Sequence, residues 1–254
     1  MAKLKKIDID LASFKVSNVA NSNSKKLSML TCYDYPSAKI VNQTSVDVIL
    51  VGDSLSEVIY GYPNTTYVDV DLMCRHIEAV AKGAPDKHVL GDMVANSYET
   101  PELAVKSAKS LWDAGADSVK MEIPTKEVIE AVIESGIPVC GHVGLTPQTI
   151  HDYKKQGTDK DSAELIFKQA SLQDEAGCWG VVLEAIPIEL ATKITQSMQG
   201  VAIGIAAGDT TDGQVLVFHD LLGYDPIERS YVKRLADTNS YFKEAIEKFV
   251  STLK

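Results

Sequence analysis

The sequence predicts an α/β chain folded as a (β/α)8 TIM barrel, and three observations predict it. Short apolar runs rich in β-branched residues alternate with segments whose apolar residues recur at three- and four-residue spacing, the mark of strands and helices building a parallel sheet. The runs are near-continuously apolar, as strands covered on both faces require. The length of 254 residues is close to the roughly 250 typical of such a barrel.

In chain order, strands are predicted at 27–33 (LSMLTCY), 47–52 (DVILVG), 88–92 (HVLGD), 117–122 (DSVKME), 137–142 (IPVCGH), 180–185 (GVVLEA), 201–205 (VAIGI) and 215–218 (VLVF). Helices lie between them. ELAVKSAKSLWDAG, KEVIEAVIESG and SAELIFKQASLQDEAG end at Gly115, Gly136 and Gly177, glycines placed to adopt the left-handed turn that closes a helix. Residues 1–254 read as a single barrel domain, with a polar N-terminal extension over 1–24 and a helical tail over 226–254. In that tail Phe242, Ala245, Ile246, Phe249 and Val250 form a stripe suited to packing on the barrel or on a neighbouring subunit.

Composition narrows the partners. The formal net charge is −10, which argues against a nucleic acid, since a phosphate polymer needs a basic footprint. It argues equally against an anionic membrane surface. A small anionic substrate needs only local positive charge. The N-terminus MAKLKKIDIDLASF lacks an apolar core to follow its basic residues, so no signal peptide is expected. No run approaches the ~20 apolar residues that span a membrane. Cys32, Cys74, Cys140 and Cys178 form no CxxC pair and read as free thiols, most of them in or beside apolar runs. A cytoplasmic protein is expected.

The functional signal lies where the apolar runs end. Asp53, Asp92, Glu122, His142 and Glu184 each follow a predicted strand core. Parallel barrel strands bring their C-terminal ends to one mouth, so these side chains should converge. Asp53 or Ser54 alone reads equally well as a helix N-cap. Three acids at successive strand ends do not, because their repulsion calls for a cation. Oxygen ligands favour Mg2+ or Mn2+ over zinc. Lys120 and Glu122 are two apart on one strand and so share a face. The lysine there would pair with an acid, or oppose a substrate carboxylate or a developing enolate. Glu184, among apolar neighbours, suits a base that removes a proton from carbon, or else a salt-bridged barrel acid. A lone histidine reads more often as a structural hydrogen-bonder than as a catalyst, but convergence with the acids makes His142 a catalytic candidate, and Thr146-Pro147 is placed to start the next segment.

GIAAGDTTDGQ, after the seventh strand, reads equally as a phosphate loop and as a tight turn. His76, His88, His151 and His219 read as surface or loop histidines. No P-loop, GxGxxG or GxSxG occurs.

Several strings resemble the ketopantoate hydroxymethyltransferase (3-methyl-2-oxobutanoate hydroxymethyltransferase) family: LTCYDYPSAKI, VDVILVGDSLS, HIEAVAKGAP, GADSVKMEI, IPVCGHVGLTPQ, VVLEAIPIELA and DGQVLVFHDLLG. The resemblance implies a barrel of the phosphoenolpyruvate mutase/isocitrate lyase-like superfamily. It implies Mg2+ at Asp53 and Asp92, with Glu122 contributing directly or through water. It implies oxo-acid contacts from Asp53, Ser54, Asp92 and Lys120, with Glu184 as proton acceptor and His142 in support. The reaction implied is Mg-dependent transfer of a hydroxymethyl group from 5,10-methylenetetrahydrofolate, the co-substrate, to 3-methyl-2-oxobutanoate, in pantothenate biosynthesis. The partners implied are a small 2-oxo acid, the folate donor and a homo-oligomer, a decamer by resemblance. The chain departs from the family strings at Ser56, at residues 93–96, at 153–158 and at Ala206 where the family has glycine. These departures leave the donor and the oxo acid undecided. They keep open a related lyase or mutase acting on another 2-oxo acid through a metal-bound enolate.

Overall fold

The computed structural model describes residues 11–15, 25–224, 232 and 234–253. The chain divides into two compact units, Met1–Val215 and Leu216–Lys254. The first holds a closed barrel whose strands follow one another in chain order, each parallel to the next. Its strands are β1 (Leu27–Thr31), β2 (Val48–Val51), β3 (His88–Asp92), β4 (Ser118–Glu122), β5 (Val139–Gly144), β6 (Gly180–Glu184), β7 (Val201–Ile205) and β8 (Gly213–Leu216). Its helices are α1 (Tyr35–Asn42), α2 (Leu55–Val58), α3 (Val70–Gly83), α4 (Pro101–Ala114), α5 (Lys126–Glu134), α6 (Lys160–Glu175) and α7 (Ile188–Ser197).

Local chemistry starts and stops these helices. Asp34, Asp69, Thr100, Thr125 and Asp159 each accept a bond from a backbone N–H in the first turn, a cap worth about 1 kcal/mol. Gly115, Gly136 and Gly177 all have positive φ, at 120°, 90° and 97°, as their predicted role as terminators requires.

Inside the barrel, alternation along each strand stacks the side chains in layers. Leu27, Met29, Val48, Leu50, Leu90, Cys140, Val182, Val201, Ile203 and Val215 form one buried cluster, joined by Phe14 from the N-terminal segment. Asp92 shares a face with Leu90, His142 with Cys140, and Glu184 with Val182, one step nearer the mouth. The apolar cluster is thus the floor of the site. Phe14 ends a short helical turn, Leu11–Phe14, and the buried Lys15 Nζ lies 3.0 Å from Asp212 Oδ2. The rest of the expected extension, 1–10 and 16–24, lies outside the described residues.

Three expectations are corrected. β5 runs on to Gly144, two residues past its predicted end, so His142 sits inside the strand rather than at its end. Gly144 permits this because a Cβ there would stand 2.2 Å from the Glu184 carbonyl oxygen. β8 begins two residues earlier than predicted, at Gly213. At the seam a Cβ on Gly213 would lie 2.7 Å from Leu27 O, and Leu27 N–H bonds Asp212 O at 3.0 Å. His88 and His219 are buried, not surface residues. His88 opens β3 facing inward, with Nε2 2.7 Å from Ser118 Oγ and its ring edge-on to Trp179.

In the second unit, α8 (Phe218–Leu222) precedes α9 (Thr238–Ser251). The ring of Tyr224 meets those of His219 and Phe242 at centroid distances of 4.9 and 5.2 Å. The expected stripe lies on α9, and none of that helix's residues is buried. Residues 226–231, 233 and 254 of the predicted tail lie outside the described residues.

Candidate active site at the barrel mouth

Period-two alternation and the parallel register bring the strand-end residues together. Asp92 pairs in register with Lys120, and Glu122 with His142. Asp53 follows β2 after Gly52, and its N–H bonds Asp92 Oδ2 at 3.1 Å. Lys120 Nζ lies 2.8 Å from Asp92 Oδ1, so the lysine pairs with Asp92 rather than with Glu122. His142 stands between two acids: Nδ1 is 3.4 Å from Glu122 Oε1 and Nε2 is 3.2 Å from Glu184 Oε2. Asp53, Asp92, Lys120, Glu122 and His142 are all buried. The Glu184 side chain retains 21% exposure, so it opens to the mouth rather than being sealed among apolar neighbours.

The helix-cap reading of Asp53 and Ser54 does not hold. Ser54 heads α2 without a side-chain cap bond, and its hydroxyl lies 2.8 Å from Tyr33 Oη. Asp53 Oδ2 instead accepts from Gln148 Nε2 at 2.8 Å. Gln148 is the residue that strand-end reasoning missed. It also donates its backbone N–H to Glu122 Oε2 at 3.1 Å and its amide to Met93 O at 2.8 Å, and it accepts from Tyr98 Oη at 2.6 Å. The only hint in the sequence was its place in GHVGLTPQ. Thr146 does start a turn, its carbonyl accepting from Thr149 and Ile150 N–H.

The titration of these groups reports crowded negative charge. Burial, then the charges of Asp92 and Glu122, hold the Asp53 carboxyl well above the usual range, against Lys120 and the Gln148 bond. Burial also raises Asp92, although Lys120 opposes it. Burial would lower Lys120, but the surrounding carboxylates outweigh it and keep the ammonium charged. Burial and Lys120 disfavour charge on His142, yet its bonds to Glu122 and Glu184 push it up to about 9. Glu122 is held low in spite of burial, chiefly by His142.

Four carboxyl groups thus face one ammonium and one imidazole. Glu122 Oε1 is buried with the His142 imidazole 3.4 Å away. Among the described residues no three His, Cys, Asp or Glu side chains stand as a ready-made metal cage. Mg2+ does not need one, because it usually takes one or two carboxylates and completes its shell with substrate and water oxygens. Asp53 and Asp92 are of the residue type such a site uses, and the excess of buried carboxylates would favour a dication electrostatically.

The departures from the family strings fall around this mouth. Ser56 is buried and donates to Asn64 O at 2.6 Å. Residues 94–97 line a cleft of about 520 Å³ with Tyr67, Asp69 and Lys106. Tyr153 Oη donates to Glu57 Oε1 at 3.2 Å. The glycine-rich segment after β7 is tied by its own bonds, Gln214 Nε2 to Gly208 O at 2.9 Å and to Thr211 Oγ1 at 2.7 Å, in the manner of a tight loop. His76 bonds Tyr60 Oη, and His151 is exposed; neither enters the cluster.

A family model described as ketopantoate hydroxymethyltransferase matches residues 13–254. A protein of Francisella tularensis subsp. novicida named 3-methyl-2-oxobutanoate hydroxymethyltransferase is 41% identical over 242 residues, covering 92% of this chain and 91% of that protein. One of the same name from Legionella pneumophila is 40% identical over 244 residues, covering 93% of each. Among solved structures, 2,3-dimethylmalate lyase, a PEP mutase/isocitrate lyase superfamily member, aligns with a TM-score of 0.63 at 15% identity, over 90% of this chain and 84% of that one. Phosphonopyruvate hydrolase, solved with oxalate and Mg++, also aligns at 0.63 with 13% identity, over 86% of this chain and 80% of that one. At such identities these two show the shared barrel alone.

Proposed function

This chain belongs to the ketopantoate hydroxymethyltransferase family, and from that premise we propose that it transfers a hydroxymethyl group to 3-methyl-2-oxobutanoate. The product is 2-dehydropantoate, the donor 5,10-methylenetetrahydrofolate and the metal Mg2+. The C3–H bond of the oxo acid breaks and a C3–carbon bond forms to the donor's methylene. Water supplies the hydroxyl oxygen, and tetrahydrofolate leaves.

Asp53 and Asp92 would hold the dication directly, and Glu122 directly or through water. A cation there draws electron density from the carboxylate and keto oxygens of the oxo acid and so acidifies its C3 proton. The chain's own groups do the rest. Ser54, its hydroxyl braced by Tyr33, donates to the substrate. Lys120 supplies a fixed positive charge towards the oxygen where negative charge develops. Glu184 accepts the C3 proton, and His142 holds the Glu184 carboxylate at 3.2 Å. The observation that carries this reading is that Glu184, backed by His142, opens to the same mouth as the Lys120–Asp92 pair. The reading includes a homo-oligomer, supported by the family resemblance and by the exposed stripe of α9. Sedimentation velocity tests it, and a monomer at micromolar concentration would remove this part.

The reaction is tested by NMR of 3-methyl-2-oxobutanoate in D2O, without folate. Loss of the C3 proton signal only when Mg2+ and protein are both present is expected. Exchange absent in both conditions would sink the reading, and exchange of a different 2-oxo acid would move it to a lyase or mutase.

A further inference from the structure

Gln148 contributes neither a charge nor a nucleophile, yet it touches two acids of the cluster, Asp53 and Glu122. It lies on the segment after β5. Its bonds reach Asp53 beyond β2, Met93 and Tyr98 beyond β3, and Glu122 at the end of β4. We propose that Gln148, oriented by Tyr98, is a positioning residue that holds one oxygen of Asp53 so that the other faces the divalent cation, and that fixes the Glu122 carboxylate beside it. This rests on the metal-assisted reading of the site.

The orientation of the amide follows from its neighbours. The Tyr98 hydroxyl accepts from Glu122 N–H at 3.3 Å and lies 2.6 Å from Gln148 Oε1. Its own proton goes to that oxygen, the nearer of its two acceptors, the other being Glu122 O at 3.4 Å. The other end of the amide faces two acceptors, Asp53 Oδ2 and Met93 O, both at 2.8 Å. Only an NH2 group satisfies both. Each of its hydrogens is used, so the amide has no freedom to flip or swing.

The consequence falls on the carboxylates. Gln148 occupies Asp53 Oδ2 and, through its backbone N–H, Glu122 Oε2. Asp53 Oδ1 is left, while Glu122 Oε1 lies 3.4 Å from His142 Nδ1. A neutral donor does this without adding a cation that would compete with the metal. Partners of this kind, which fix the rotamer of a ligating carboxylate, typically carry 10–100-fold of metal affinity.

The test measures binding of Mn2+ alone, with no oxo acid, by the electron paramagnetic resonance signal of the free ion. Wild type, Gln148→Leu and Tyr98→Phe are compared. Gln148→Leu keeps the volume and removes the amide, so its Kd should rise about 10–100-fold while circular dichroism and Tm show the fold intact. Tyr98→Phe removes the donor to the amide oxygen, loosens the side chain and should raise Kd by a smaller factor. A folded Gln148→Leu protein with the wild-type Kd overturns the proposal. If that variant does not fold, Tyr98→Phe decides, and an unchanged Kd overturns it. A wild-type protein that does not bind Mn2+ removes the metal-assisted reading itself, an outcome distinct from equal binding by all three proteins.

Discussion

His142 Nε2 lies 3.2 Å from Glu184 Oε2, joining a residue inside β5 to the last residue of β6. The contact fixes the one acid of the cluster that keeps substantial access to the mouth. A proton acceptor must be both held and reachable, and of the carboxylates here Glu184 meets both conditions best. Glu184→Gln keeps the shape of the side chain and removes the basic oxygen. It should leave oxo-acid binding within a few-fold and slow C3 proton exchange by roughly 10²–10⁴-fold. Calorimetry measures the first and deuterium exchange by NMR the second. Exchange at the wild-type rate would show that another group is the base.

The same imidazole makes stability depend on pH. His142 is pushed up from its ordinary 6.5 to about 9, its bonds to Glu122 and Glu184 outweighing burial and Lys120. A group whose pKa is raised by folding contributes stability fully below its unfolded value and loses that contribution as pH rises through the folded one. In chelator, the advantage of wild type over His142→Gln in urea unfolding should be full at pH 6 and shrink between about 6.5 and 9. An advantage that grows over that interval would mean that the imidazole is neutral in the folded protein.

The thiols give a prediction independent of the site. Burial pushes Cys32 up to about 11 and Cys178 up to about 12, and it also raises Cys140. Cys74 is raised too, by burial and by Asp71 and Asp113, but it is only half-buried. Since the thiolate is the reactive form, iodoacetamide at pH 8 should modify Cys74 first in the native protein. All four cysteines should react in guanidinium. Rapid native labelling of Cys140, read by peptide mass spectrometry, would contradict the packing around β5.

What was legible in the sequence follows the periodicity of strands. Asp92, Glu122 and Glu184 could be placed because each ends an apolar run, and Lys120 because it is two residues from Glu122. Gln148 and Tyr98 could not. They come from loops whose paths are set by the groups they bind, and no repeat marks which loop residue turns inward. The inward turn of His88 was also hidden, since a polar residue at the bottom of a strand looks like a loop residue until its partners, Ser118 on the neighbouring β4 and Trp179, are in place. Backbone strain left no trace either. Ile123 and Ala185, directly after Glu122 and Glu184, have φ of 44° and 49°, conformations that only the folded context imposes.

Ala206 is the one such residue at which the departure from the family string suggested an unusual backbone. It stands where the family has glycine, and its φ is 53°. A Cβ in the left-handed region costs roughly 1–2 kcal/mol, while glycine gives back part of that through the freedom of the unfolded chain. Ala206→Gly should therefore stabilise the protein by about 0.5–1 kcal/mol, or about 1–4 °C in Tm for a chain of this size. Ala207→Gly is the control. Ala207 is buried and its φ is not positive, so the same exchange there adds unfolded-state entropy, removes a packed methyl group and should lower Tm. If Ala206→Gly also lowers Tm, the methyl group of Ala206 contributes more through its contacts than the left-handed backbone costs.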